Sequence, residues 1–210
     1  FVHTDLADDF ASADVRVDIE KTGDAPIAWQ LLDAEEQVIA EGESAGDIAF
    51  SLDNPHLWNS EDPYLYTLLM QCGGEWIAEQ IGVRKICIEN GMVKVNGVAI
   101  KFKGVNRHDS DPLVGSAVGI AEMHRDLRVM REHNINAIRT SHYPNAPEFL
   151  KMCDEYGFYV VDEADMECHG VVCIGMPTFL ESYNALANDP VYEEVFVDRV
   201  QRCVIRDKNR

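Results

Sequence analysis

Three short apolar runs decide the architecture of the second half of this chain: Phe102-Lys103-Gly104-Val105-Asn106, Ala137-Ile138-Arg139-Thr140 and Tyr159-Val160-Val161. Each reads as a buried strand, and helical patterns lie between and after them. Ile120, Met123, Leu127 and Met130 recur at three- and four-residue steps, with Arg125, Asp126, Arg128 and Arg131 on the other side, which predicts an amphipathic helix. Asn145 with Glu148 three residues on, Pro147 between them and Gly157 after Tyr156 bracket a second helix. Asp189-Pro190 opens a third, with Val191, Val195, Val200 and Val204 along one face. Arg202, Arg206, Lys208 and Arg210 crowd its end, where cations suit the helix dipole. Alternating strands and helices predict parallel strands joined by crossovers, as in a doubly wound sheet or a (β/α)8 barrel. Gly104-Val105-Asn106-Arg107-His108 carries a single glycine, which disfavours a dinucleotide-binding fold.

Upstream the pattern is different. Val15, Val17 and Ile19 alternate with Arg16, Asp18 and Glu20, the period of a half-buried strand. Similar segments cover 27–32, 37–40, 48–52, 65–71 and 76–83, separated by Thr22-Gly23-Asp24, Gly42, Gly46, Asp53-Asn54-Pro55 and Gly73-Gly74. Many short strands with regular turn signals predict a β-sandwich over residues 1–87. The remainder, 88–210, opens on a hairpin of Ile86–Glu89 and Met92–Val95 around Asn90-Gly91, and Asn96-Gly97 repeats the turn signal before a strand at Ile100–Phe102.

The 210 residues carry 18 Lys and Arg against 37 Asp and Glu, a formal charge of −19. That field repels phosphate backbones and anionic membrane surfaces, so nucleic acid and membrane are excluded as partners. No apolar run approaches the roughly 18–20 residues that span a bilayer, and the acidic first ten residues, which start at Phe1, are no secretory signal and suggest a piece of something longer. The six cysteines form no CxxC pair, which favours reduced thiols in a cytoplasmic protein.

Unusual polar residues follow each strand of the second half: Asn106, Arg107, His108 and Asp109; Arg139, Ser141, His142 and Tyr143; Asp162, Glu163, Asp165, Glu167 and His169. Strand ends on one side of a parallel barrel are where function gathers. His108 alone reads as a surface histidine and His142 as a turn residue, but three such clusters in register exceed what packing requires. Arg139, inside an apolar strand, requires a partner, and a buried carboxylate is the natural one. Asp162 and Glu163 are adjacent on a strand and point to opposite faces, so they cannot work together as a glycosidase acid/base pair. Glu167 and His169 face one way and suit Mg2+, completed by waters and one more carboxylate. The rival is a zinc site of Glu167, Cys168, His169 and Cys173.

The runs Phe102-Lys103-Gly104-Val105-Asn106-Arg107-His108, Arg139-Thr140-Ser141-His142-Tyr143-Pro144 and Val161-Asp162-Glu163-Ala164-Asp165-Met166-Glu167-Cys168-His169-Gly170 resemble glycoside hydrolase family 2. The last, with its Glu-x-His-Gly, resembles the large β-galactosidases of that family rather than the β-glucuronidases. Upstream, the segment from Pro55 to Tyr66 is similar to the end of the family's immunoglobulin-like domain. The resemblance implies an immunoglobulin-like β-sandwich followed by the first three βα units of a TIM (β/α)8 barrel, together a fragment of a retaining β-galactosidase acting on lactose and other β-galactosides. It implies sugar-contacting roles for His108, His142 and Asn106, a role for Arg139 in holding the nucleophile's carboxylate, and Glu167 and His169 as Mg2+ ligands. It also implies Na+ in the parent, with ligands outside this chain, and a homo-oligomeric parent. The alternatives are a β-glucuronidase or β-mannosidase of the same family and a non-catalytic carbohydrate-binding module.

The resemblance implies that both catalytic glutamates of the family, acid/base and nucleophile, fall beyond Arg210, and three βα units are about half a barrel or less. The expected outcome is that the purified 210-residue chain shows no turnover of a chromogenic β-galactoside. A measured rate above the buffer blank would contradict it.

Overall fold

A computed structural model describes residues 1–170 and 185–210. The chain divides into two compact units. One is formed by Phe1–Lys103 with Met152–Tyr159 and Asn209, the other by Gly104–Lys151, Val160–Lys208 and Arg210.

The first unit holds two antiparallel sheets. Strands β1 (Val2–Leu6), β2 (Ser12–Val17) and β5 (Ile48–Asp53) pair in the order β1-β2-β5. Strands β3 (Ile27–Leu32), β4 (Val38–Ser44), β6 (Tyr66–Cys72) and β7 (Glu75–Ile81) pair in the order β4-β3-β6-β7. The alternation read from the sequence sets the inner faces: Ala13, Val15 and Val17 are buried while Asp14 and Arg16 face water, and Ile27, Trp29 and Leu31 are buried from the other layer. Trp29 stacks on Phe50 between the layers with ring centroids 5.0 Å apart. Leu68, Leu31, Ile48 and Val15 complete this core at 0–2% exposure. This is the sandwich that the turn spacing predicts, with one strand more than the sequence discloses, since β1 gains its identity from pairing Val2 with Val17 and Leu6 with Ala13.

A three-stranded meander follows, β8 (Ile86–Glu89), β9 (Met92–Val95) and β10 (Val98–Ala99), in the order β10-β9-β8. Asn90 and Gly91 both have positive φ, 52° and 75°, as do Asn96 and Gly97 at 49° and 78°. A two-residue hairpin turn needs that conformation, and it explains both Asn-Gly pairs. The tight second turn brings the last strand to Val98–Ala99 instead of Ile100–Phe102.

Alternating strands and helices then run as β11 (Gly104–Arg107), α1 (Ile120–Glu132), β12 (Ala137–Thr140), α2 (Pro147–Tyr156), β13 (Tyr159–Val161), a single 3-10 turn (Pro190–Tyr192) and α3 (Glu193–Asp207). The strands lie in the order β11-β12-β13, and β11 pairs parallel with β12, Gly104 opposite Ala137 and Arg107 opposite Thr140. Met123 and Leu127 are the buried stripe of α1, while Ile120 is exposed. Three details depart from the sequence reading. The first strand starts at Gly104, two residues late. Asn145 does not cap α2, because its side chain is wholly buried and its Oδ1 accepts from Arg107 Nη1 at 2.8 Å. The valine face of α3 is exposed at Val195, Val200 and Val204, and Cys203 is the one residue buried from that helix.

Leu68→Ala removes a side chain with no exposed surface from the sandwich core. Urea denaturation is expected to show a loss of about 2–5 kcal/mol, the range for emptying a packed leucine site.

Candidate active site

Strand parity decides which polar residues can meet. Asn106 lies opposite Arg139 in the parallel register, and Arg107 lies opposite Thr140, so the first pair shares one sheet face and the second pair the other. Arg107 therefore leaves the polar group in which the sequence places it. Its side chain is 4% exposed and donates to Asp109 Oδ1 at 2.6 Å, Asp126 Oδ2 at 3.1 Å and Asn145 Oδ1 at 2.8 Å. The guanidinium also lies 4.0 Å from the centre of the Phe149 ring. Helices α1 and α2 are tied to the sheet through this one cation.

The opposite face gathers the candidate groups. Arg139 Nη2 donates to Glu163 Oε1 at 2.7 Å and lies 3.3 Å from His142 Nδ1. His142 Nδ1 is 3.6 Å from the same carboxylate oxygen. The His108 ring meets the His142 ring edge-on at 5.2 Å, and Tyr143 stands 6.2 Å from His108. Arg139 thus has the carboxylate partner its strand position demands, but the pair is open to solvent, with side chains 39% and 27% exposed. The desolvation cost of a buried pair does not arise, and Arg139 stays available to a ligand. Glu163 Oε2 and Arg107 Nη2 are buried atoms with no hydrogen-bond partner among the described residues, so Glu163 keeps an acceptor in reserve.

Adjacent carboxylates diverge as the strand period requires. Asp162 Oδ1 accepts from Thr140 Oγ1 at 3.1 Å and its Oδ2 accepts from Cys203 Sγ at 2.9 Å, while the Glu163 N–H donates to Thr140 Oγ1 at 3.0 Å. Burial, reinforced by Asp162, pushes the Cys203 thiol up to about 12. Asp207 completes this group, its ligand atom within 4.8 Å of those of Asp162 and Cys203. Burial, with Asp162 beside it, holds the Asp207 carboxyl above the usual carboxylate range although Arg206 opposes the shift.

Glu167 and His169 face the same way, and His169 Nδ1 is hydrogen-bonded to Glu167 Oε1. That bond first, and the charges of His169 and His142 after it, hold the Glu167 carboxyl below its ordinary value. The two donors fit a hard divalent cation in part: an anionic oxygen and a ring nitrogen sit side by side at an accessible edge, and waters and a further carboxylate would fill the remaining positions of Mg2+. Cys168 is a half-buried free thiol, and Cys173, the fourth member of the zinc alternative, lies outside the described residues.

One residue that shapes this edge, Asp111, escaped sequence reading. Asp111 accepts from the N–H groups of Leu113 and Val114 at 2.8 and 3.1 Å and from Arg125 Nη2 at 2.6 Å, which folds the loop after β11 back toward α1. The Leu113 N–H first, then Arg125, hold its carboxyl below the ordinary range. Tyr143 accepts the Asp109 N–H at its hydroxyl, 3.0 Å away. The Asp111-Pro112 turn signal was available, but its partner fourteen residues on was not.

Comparison with known proteins also finds two matching regions in the chain. Residues 86–210 match a family model described as "Glycosyl hydrolases family 2, TIM barrel domain" and residues 1–84 match one described as "Glycosyl hydrolases family 2". A β-galactosidase of Actinobacillus pleuropneumoniae is 38% identical over 232 residues, covering 100% of this chain and 23% of its own length. A β-galactosidase of Lactococcus lactis is 41% identical over 217 residues, covering 99% and 20%. Among solved structures, Ruminococcus gnavus β-glucuronidase in complex with uronic isofagomine superposes with a TM-score of 0.82 at 28% identity, covering 99% of this chain and 36% of that one. The chain thus spans about a fifth of the length of the curated relatives it matches.

Because folding tightens the Asp207 carboxyl's hold on its proton, its contribution to stability is full below the ordinary carboxylate pKa of about 3.9 and is lost as pH rises through the raised value. Asp207→Asn keeps the neutral form at every pH. The urea midpoint of the native chain should therefore fall relative to that of the variant as pH is taken from about 4 to about 7, and a constant difference would contradict the shift.

Proposed function

This chain belongs to glycoside hydrolase family 2, and from that premise we propose that it forms part of a retaining β-galactosidase, with the carboxyl ends of β11, β12 and β13 contributing the sugar-binding edge. The observation that carries the reading is the meeting of His108, His142, Arg139 and Glu163 on one sheet face at adjacent strand ends, where a (β/α)8 barrel keeps its chemistry. One observation favours galactose over glucuronate: the relatives named β-galactosidase are about ten percentage points more identical than the β-glucuronidase structures.

In a retaining glycosidase one carboxylate attacks the anomeric carbon, and a second, about 5 Å from the first, protonates the leaving oxygen. Asp162 and Glu163 take neither part, since they diverge and are engaged by Thr140 and Cys203 and by Arg139. This chain's own residues bind and orient. His108, His142 and Asn106 hydrogen-bond galactosyl hydroxyls and strengthen those bonds as positive charge develops on the ring. Arg139, fixed at one nitrogen by Glu163, directs its remaining N–H groups toward the nucleophile's carboxylate. Glu163 Oε2, buried and unpaired, accepts a further hydroxyl proton. Glu167 and His169 would hold Mg2+, which when bound supplies positive charge beside the reacting sugar. The five described cysteines are free thiols, which supports placement in a reducing cytoplasm.

The test is hydrolysis by the gene product that carries this stretch. β-Galactosides should be turned over at least about 100-fold faster than β-glucuronides, and His142→Ala should lower kcat/KM by about 10²–10³. Equal rates on the two glycosides would overturn the galactose reading. Mg2+ titrated into the 210-residue chain by calorimetry should give saturable binding that Glu167→Gln abolishes.

A further inference from the structure

The outer face of the four-stranded sheet in the first unit carries a feature that hydrolysis at the strand ends does not use. Cross-strand register sets one row of side chains as Glu43, Ala28, Gln71 and Trp76, one from each of β4, β3, β6 and β7, and the next as Glu41, Gln30, Leu69 and Ala78. Ala28 is the smallest side chain of the first row, and a hollow of about 600 Å³ opens over it, lined by Gln30, Glu41, Glu43, Leu69, Gln71 and Trp76. Trp76 is 66% exposed and stands as one wall, whereas Trp29 and Trp58 are 9% and 4% exposed. Gln30 Nε2 donates to Glu41 Oε2 at 2.9 Å, which fixes the amide's orientation. Neither Glu41 nor Glu43 forms an ion pair with a described cation, and the Trp76 indole N–H donates to no described residue.

We propose that this face is a second saccharide-binding site, separate from the strand-end cluster, taking a neutral di- or oligosaccharide with one pyranose ring stacked on Trp76 and its hydroxyls shared among Gln71, Gln30, Glu41 and Glu43. An exposed indole beside a row of amides and carboxylates offers what a sugar requires: a flat apolar surface for the C–H face of the ring, and directional acceptors for the hydroxyls around it. The row crosses four strands at about 4.8 Å spacing, long enough for a disaccharide. Carboxylate acceptors with no competing cation make the strongest hydroxyl bonds and repel uronates, sulfated sugars and phosphates, so the ligand is uncharged. The hollow's size lies within the ordinary range for small-ligand sites. A solitary exposed tryptophan would need no explanation, but here the small floor residue, the oriented amide and the unpaired acceptors share its face and its rows.

The site involves none of the residues assigned to galactoside hydrolysis, so its failure would leave that reading untouched. The test uses the 210-residue chain with four neutral disaccharides, lactose, cellobiose, maltose and melibiose, and sodium glucuronate as the charged control. At least one disaccharide should give saturable amide shifts on Ala28, Gln30, Gln71 and Trp76, with a dissociation constant on the order of 1–10 mM, together with a change in the exposed tryptophan's fluorescence. Glucuronate should give no saturable shifts on these residues. Trp76→Ala should weaken binding by at least about tenfold with an unchanged far-UV circular dichroism spectrum, and Trp76→Phe should restore most of it. The proposal is overturned if no disaccharide saturates this face below about 100 mM, if glucuronate binds it as well, or if Trp76→Ala binds as the native chain does.

Discussion

Arg107 is the cation on which the arrangement of the second unit rests. It is nearly buried and has an aspartate on either side, an asparagine at one nitrogen and a phenylalanine ring beneath it. A charge taken out of water is tolerated when its protons find acceptors of opposite sign, and removing one partner of such a set leaves the others uncompensated. Here the acceptors come from three places: the loop after β11, helix α1 and the segment leading into α2. The network therefore fixes the two helices on one face of the parallel strands. Strand parity then leaves Asn106 and Arg139 on the face the helices do not cover.

On that uncovered face the electrostatics are of a different kind. Arg139 and Glu163 are a partly exposed pair, so neither pays a full desolvation cost and neither is locked away from solvent. His142 lies within reach of both and its charge is felt at Glu167. One histidine thus links the polar groups of all three strand ends. Around the Asp162 carboxylate the contrast is clear: burial favours the protonated forms of its neighbours Cys203 and Asp207. Two neighbouring carboxylates, Asp162 and Glu163, serve these two environments because successive residues on an extended segment point apart.

What could be read in the sequence was what local chemistry dictates. The hairpin of Ile86–Glu89 and Met92–Val95 was legible to the residue, because Asn-Gly is the pair that adopts positive φ twice at little cost. Strands β11, β12 and β13 and helices α1, α2 and α3 were legible from period and end signals, and so was the divergence of Asp162 from Glu163. Strand β1 was not, since Val2-His3-Thr4-Asp5-Leu6 has two apolar residues and becomes a strand through its partner β2. Asn145 shows the opposite failure. It carries the local signature of a helix start, and a tertiary partner, Arg107, takes its side chain away from that duty. Arg107 itself sits beside Asn106 in sequence, and only the sheet's two-sidedness separates the structural cation from the candidate site. The row that contains Trp76 was invisible for a related reason: its four members come from four strands, and no spacing in the chain announces them.

Exposed apolar side chains occur in both units, and the sheets around them distinguish their meaning. In the second unit Val105, Val161, Val195, Val200, Val204 and Ile205 face solvent. Strands in a parallel sheet are normally covered on both faces, and in a closed (β/α)8 barrel every such face is packed by neighbouring strands and helices. The family architecture already accounts for those residues, whatever they bind. The sandwich sheet is antiparallel, and such a sheet ordinarily has one packed face and one face in water. Its inner side is filled by Trp29, Leu31 and Leu68, so no architectural rule requires a tryptophan on its outer side. Beside it in the two outer rows stand Glu41, Glu43, Gln30 and Gln71 with the small Ala28 and Ala78 and the half-buried Leu69, and Trp76 is the large exposed apolar side chain of those rows. Such a side chain on a face that folding does not need to cover is more economically explained by a ligand than by packing.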